Sequence, residues 1–234
     1  ERAAIARLRS PANQLGYALQ LCCLRFPGRY LRRGELLPAI MLDHVAEQID
    51  VDADVIADFA KRGPTRYEQL ASIKRNHGFV DLTHPVRAEL KQWLEAEALS
   101  CTDGRLLLER LIARMRERKI IIPGVSVIER LTASAMHAAD AKVASEILAQ
   151  LNTEQKAKLN AVLDDKTHAQ QSRLSWLREP PIRVGARGLF ELLDKIDYIR
   201  RLGIGELALP DYLKLRLSQL AREGVRYTAQ ALQQ

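Results

Sequence analysis

Apolar residues recur at helical spacing along almost the whole chain, and no stretch alternates apolar and polar residues for long enough to form a useful strand. Leu15, Ala18, Leu19, Cys22, Cys23 and Phe26 fall on one face of a helix, with Ser10-Pro11 as a start signal and Pro27-Gly28 as a stop. A second helix is expected from about Leu36 to Ile49, with Ile40, Met41 and Val45 inward, and a third from Ala53 to Ala60. Helices from Thr65 to Asn76 and from Pro85 to Leu99 follow, then one from Asp103 to Lys119 with Leu107, Leu108, Leu111, Ile112 and Met115 on one face. Further helices are expected from Ser126 to Leu148, from Thr153 to Leu163 and from Asp211 to Arg222. Leu189, Leu192, Leu193, Ile196 and Ile199 make another helical stripe, and residues 164–172 read as polar loop. The fold class is therefore all-α and multi-helical, with no fixed-period repeat. Breaks at Gly78 and at Gln150–Thr153 divide it into units 1–80, 81–150 and 151–234.

The 47% apolar content supplies a packed core, and aromatics at 5% argue against a stacking platform for single-stranded nucleic acid. A net charge of +7 suits a polyanionic partner. That charge is uneven: residues 81–150 hold 10 basic and 10 acidic side chains, so any nucleic-acid contact there depends on local clusters. Cys22, Cys23 and Cys101 are odd in number and lack metal or redox spacing, which fits a reduced, cytoplasmic setting. No apolar run is long enough to span a membrane, and the start, Glu1-Arg2-Ala3, is no signal peptide; it reads as a piece of a longer polypeptide.

Two stretches look like helix-turn-helix units, in which the second helix offers its N-terminal residues to base edges. In residues 53–77 a short helix meets the turn Lys61-Arg62-Gly63-Pro64, and Thr65-Arg66-Tyr67-Glu68 fits a capping box. Lys61, Arg62, Thr65 and Arg66 cluster there, with Lys74 and Arg75 further along; an ordinary helical hairpin with a solvated basic face reads slightly better. In residues 105–148, Arg114, Arg116, Arg118 and Lys119 precede an isoleucine strap, a Pro123-Gly124 turn and a second capping box at Ser126-Val127-Ile128-Glu129, followed by Arg130. The strap alone would be a buried connector. The loop from Pro27 to Gly34 carries Arg29, Arg32 and Arg33, whose guanidinium forks suit phosphates, though a plain surface loop fits as well. The acidic run Asp43, Glu47, Asp50, Asp52, Asp54 and Asp58 would repel a phosphate backbone and reads as a solvated face.

Signals of catalysis fail. His44, His77, His84, His137 and His168 lack metal-ligand spacing, and Asp164-Asp165 lies in a polar stretch. Gly203-x-Gly205-x-x-Ala208 follows a helix where a dinucleotide fingerprint would follow a strand. No active site, metal or cofactor is expected.

Four ordered segments carry a resemblance: NQLGYALQLCCLRFPGR at 13–29, RKIIIPGVSVIERL at 118–131, LSWLREPP at 174–181 and LAREGVRYTAQ at 220–230. Together they resemble the N-terminal region of transposases of class II replicative transposons, the Tn-three family. The resemblance implies sequence-specific binding of double-stranded DNA at the transposon's terminal inverted repeats. It also implies that catalysis, by three carboxylates with divalent metal, belongs to a C-terminal domain absent here, so that this chain is no enzyme. The remainder of the transposase is then a partner, a homodimer of the full-length protein stays open, and the setting is bacterial cytoplasm, at the nucleoid when bound to DNA. A helical protein-interaction or regulatory scaffold with little DNA contact is the competing expectation.

Overall fold

Helix α2 (Pro11–Arg25) is the element around which the N-terminal part is built. Ser10 accepts the Asn13 amide at 3.3 Å, Pro11 occupies the first turn, and Leu15, Tyr17, Ala18, Leu19, Leu21, Cys23 and Leu24 are all buried. A helix buried on most of its circumference must be surrounded. A computed structural model of the chain describes residues 2–32, 34–35, 37–59, 63–164, 172–181 and 185–223. Among these residues the class is all-α, with one isolated parallel β-bridge between Val80 and Ile120. The expected positions Arg33, Leu36, Ala60, Lys61, Arg62, Asp165, His168 and the motif residues 224–230 lie outside the described residues.

The chain divides into two compact units: residues 1–94 with 103–134, and residues 95–102 with 135–234. In the first, α1 (Arg2–Ala6), α3 (Ala39–Gln48), a 3-10 helix (Ala53–Asp58) and α4 (Gly63–His77) gather around α2, contributing Ile5, Val45, Ala46, Leu70 and Ile73 to one core with Leu31 and Ile121. Gly16 lets the Phe59 ring lie directly on α2, because a Cβ there would fall inside that ring. Buried Gln20 donates to Gln69 at 3.0 Å, and Gln69 donates to the Asn13 carbonyl at 3.2 Å, tying α4 to α2. The first unit also holds most of α5 (His84–Ser100), all of α6 (Gly104–Glu117) and the start of α7 (Val125–Gln150). Leu107, Leu111 and Met115 of α6 are fully buried at the expected i, i+4, i+8 spacing.

In the second unit, the ends of α5 and α7 are joined by α8 (Thr153–Asp164), α9 (Arg173–Arg178), α10 (Ala186–Arg201), a short 3-10 turn (Ile204–Glu206) and α11 (Asp211–Glu223). Arg216 of α11, 1% exposed, is its central clamp: its guanidinium donates to the Ala98 and Cys101 carbonyls and pairs with Asp140. Gln155 donates to the Gly203 carbonyl at 2.7 Å and Lys158 to the Arg201 carbonyl at 3.1 Å, so α8 caps the end of α10.

Several expectations need correction. The segment from Ala53 is a 3-10 helix ending at Asp58. Helix α4 begins at Gly63, because Pro64 is tolerated in a first turn, so Thr65 sits inside the helix and is no N-cap. Helix α7 begins at Val125, with the Gly124 carbonyl accepting the Val127 amide at 2.9 Å, so Ser126 is no N-cap either. Ile40 is 85% exposed, and α3 buries Val45 and Ala46. The α10 stripe points outward: Leu189, Leu192, Leu193, Ile196 and Ile199 are all exposed. That helix instead turns Gly188 and Lys195 inward, with Lys195 donating to the Glu179 carbonyl at 2.6 Å and Tyr198 meeting Trp176 edge-on at 5.8 Å.

Candidate nucleic-acid interface

Three loops of the first unit meet at one joint. Leaving α2, the backbone turns through a cis Phe26–Pro27 peptide to Gly28, whose φ of +97° and close approach to Ile122, 2.9 Å from where a Cβ would stand, both require glycine. Leaving α4, Gly78 and Phe79 close onto the Lys74 carbonyl and bring Val80 beside the strap after α6. Val80 donates to the Lys119 carbonyl at 3.0 Å, Ile121 donates to the Val80 carbonyl at 2.9 Å, and Ile122 donates to the Gly28 carbonyl at 2.8 Å. Buried Ile120 and Ile121 anchor this crossing, so the isoleucine strap is core and at the same time holds three basic segments together.

The cations around the joint fall into two groups. Arg29, Lys74 and Arg118 are matched by carboxylates. Arg29 grips Glu35 with both arms, one at 2.9 Å; Lys74 meets Asp81 at 2.7 Å; Arg118 meets Glu89 at 2.7 Å. The Arg29 fork and the Arg32 amide hold the Glu35 carboxyl down to about 2. Burial pushes Asp81 up, but hydrogen bonds from Lys74 and Tyr30 outweigh it and leave the carboxyl below its ordinary value. Burial and the bond to Asp81 raise the Tyr30 hydroxyl well above the usual tyrosine range.

The second group rests on carbonyl oxygens, which orient a cation without cancelling its charge. Arg116 donates to the Pro27 carbonyl at 3.2 Å and lies over the Phe26 ring at 5.1 Å. Lys119, at φ +51°, donates to the His77 carbonyl at 3.0 Å, and Arg130 donates to the Ser126 carbonyl at 3.1 Å. All three are exposed. Ser126 is exposed in the first turn of α7 beside exposed Val125, where a helix presents amides and a positive dipole end. Arg32 and Arg75 are exposed, and Thr65 and Arg66 are half-buried in the first turns of α4.

So the loop after α2 and the segment 118–130, far apart in sequence, share this joint with Lys74, through the Asp81 and Val80 loop. Among the described residues no hydrogen bond or ion pair ties Thr65, Arg66 or Arg75 to it. In the sequence Arg116 stands in a basic cluster without being a candidate contact, and Phe26 stands on the apolar face of its helix; the structure ties Arg116 to the Pro27 carbonyl and leaves Phe26 exposed. The stop signal at Pro27 held the clue, since a side chain after the last helical residue need not follow the helix face. Among the described residues no group of three or more His, Cys, Asp or Glu could hold a metal, and no helix is long and apolar enough to cross a membrane.

Residues 1–135 match the sequence profile of the family described as a domain of unknown function, DUF4158. The chain is 31% identical over 235 residues to the transposase for transposon Tn2501 of Escherichia coli, covering 98% of the chain and 23% of that relative. It is 30% identical over 228 residues to the transposase for transposon Tn21 of Escherichia coli, covering 96% and 23%. It is 28% identical over 225 residues to the transposase for transposon Tn1546 of Enterococcus faecium, covering 95% and 23%. The chain thus spans about a quarter of the length of these curated relatives. It belongs to the DUF4158 family and, along nearly its whole length, is similar to a part of each of these transposases.

Proposed function

We propose that this chain recognises the terminal inverted repeats of its transposon as double-stranded DNA, reading them through the joint and the start of α7. One observation carries the reading: Arg116, Lys119 and Arg130 are exposed and held in place by carbonyl oxygens, which fixes their geometry while leaving their charge for phosphate. Arg32 extends that surface, and Arg29, Lys74 and Arg118 serve first to build it through their ion pairs. Val125, Ser126 and Arg130, in the first turns of α7, would be the base-reading residues if α7 serves as the second helix of a helix-turn-helix. Arg66 and Arg75 of α4 belong to a second contact, with Thr65 in support. DNA strand transfer is assigned to the part of the relatives that this chain does not match. The test is selection of bound duplexes from a random-sequence pool. Enrichment of a motif present at the ends of the encoding transposon supports the reading, and recovery of unrelated sequences sinks it.

A second reading, protein contact, is favoured for the second unit by the outward stripe of α10. Leu189, Phe190 and Leu193 are 60%, 66% and 47% exposed on a helix that packs through its other side. Its occupant is the remainder of the transposase. Co-purification of the chain with the rest of the polypeptide supplied separately, lost on Leu193→Glu, tests this assignment.

A further inference from the structure

Phe26, at 72% exposure, is the most exposed large apolar side chain of the joint, ahead of Val125 at 68% and Val80 at 43%. It is nevertheless held firmly. Its own amide donates to the Cys22 carbonyl at 2.8 Å, and the Gly28 and Arg29 amides close onto the Cys23 carbonyl at 2.9 and 3.1 Å. The Arg116 guanidinium covers one side of the ring and is itself tied to the Pro27 carbonyl. The result is a ring standing proud of the turn, with the exposed Arg116 guanidinium across it. Burying that ring against an apolar protein patch would bury Arg116 beside it, which costs more than the ring gains. A stacked base step offers the opposite setting: an apolar gap for the ring, with a phosphate beside it for Arg116.

We propose that Phe26 is a wedge that enters between two base pairs of the bound duplex, partly unstacking them, while Arg116 holds a flanking phosphate. This rests on the reading that the joint binds duplex DNA, and it adds a site of deformation and a residue responsible for it. Side chains that wedge into base steps are apolar, phenylalanine among them, in proteins that also hold the duplex through Arg and Lys. One aromatic is enough for this, whereas a single-strand platform would need several.

The test uses the full chain and the duplex recovered by selection, with 2-aminopurine placed at successive steps. The expected result is a severalfold rise in fluorescence at a single step on binding, absent with Phe26→Ala. Phe26→Ala is expected to bind about tenfold more weakly with an unchanged dependence on salt, since no phosphate contact is lost, and Phe26→Trp to retain binding. Arg116→Ala should instead lower the salt slope by about one. A wild-type chain that binds the duplex tightly yet brightens no step overturns the wedge and leaves DNA recognition standing. So does Phe26→Ala with wild-type affinity and wild-type fluorescence. If Phe26→Ala fails to melt cooperatively, the wild-type scan alone decides. A wild-type chain that binds no duplex sequence preferentially fails the underlying reading itself.

Discussion

The Ile122 amide donates to the Gly28 carbonyl at 2.8 Å, joining the strap before α7 to the loop after α2. This bond makes a continuous surface of two basic segments that are remote in sequence. Gly28→Ala should therefore loosen both. The new Cβ would meet Ile122 and stand at a φ of +97°, with an expected cost of about 1–3 kcal/mol. The check is the urea midpoint, with DNA affinity falling as the joint loosens.

The two groups of cations make separable claims. Alanine at Arg116, Lys119 or Arg130 should each reduce the slope of log K against log salt by about one if each meets a phosphate. If Arg130 reads a guanine instead, its loss costs roughly 1–3 kcal/mol and relaxes specificity at one position. Arg118→Ala should mainly cost the Glu89 pair, which is exposed and so contributes about 1 kcal/mol or less to stability. Anisotropy titrations at several salt concentrations distinguish the two behaviours.

The Arg29–Glu35 pair sets a pH window. Glu35 is held near 2 when folded, below its ordinary 4.5, so it adds stability that is complete above about 4.5 and disappears as pH falls toward 2. With Arg29 37% exposed, solvent screens the pair and the contribution is about 1 kcal/mol or less. Glu35→Gln should accordingly be less stable than wild type at pH 7 and nearly equal to it at pH 2, as measured by chemical denaturation at both values.

Arg216 tests the second unit. Removing a fully buried guanidinium leaves two backbone carbonyls without their donor, while Asp140, 59% exposed, turns to water; Arg216→Ala should lose about 2–3 kcal/mol. Arg216→Met, which keeps the volume, should lose less. Thermal melts of both variants give the comparison.

Charge substitutions on the α10 stripe should do the reverse. Leu193→Glu lies on an exposed face and should change stability by no more than about 0.5 kcal/mol, while abolishing capture of the rest of the transposase.

Periodicity made the helices legible, because a 3.6-residue apolar repeat reports one buried face, and α6 buries Leu107, Leu111 and Met115 accordingly. It found the α10 helix without its direction, since an apolar stripe is the same in sequence whether it is buried or, as here, exposed. The helix starts at Gly63 and Val125 came earlier than Thr65 and Ser126 indicated, because glycine and proline can begin a helix without a side-chain cap. Basic residues at 114–119 were visible as a cluster. Which of them are neutralised was not, because Glu89, Pro27 and His77, which decide it, lie far away in sequence. The exposure of Phe26 was hidden for a related reason: the helix stops one residue before it.

Fluorescence anisotropy of the full chain on duplex from the transposon end, against a scrambled duplex of equal length at physiological salt, bears most directly on end recognition. The expected result is binding at least about a thousandfold tighter to the end duplex, largely lost when Arg116, Lys119 and Arg130 are replaced together by alanine. Equal affinity for the two duplexes, or an unchanged preference in the triple variant, would contradict recognition through this joint.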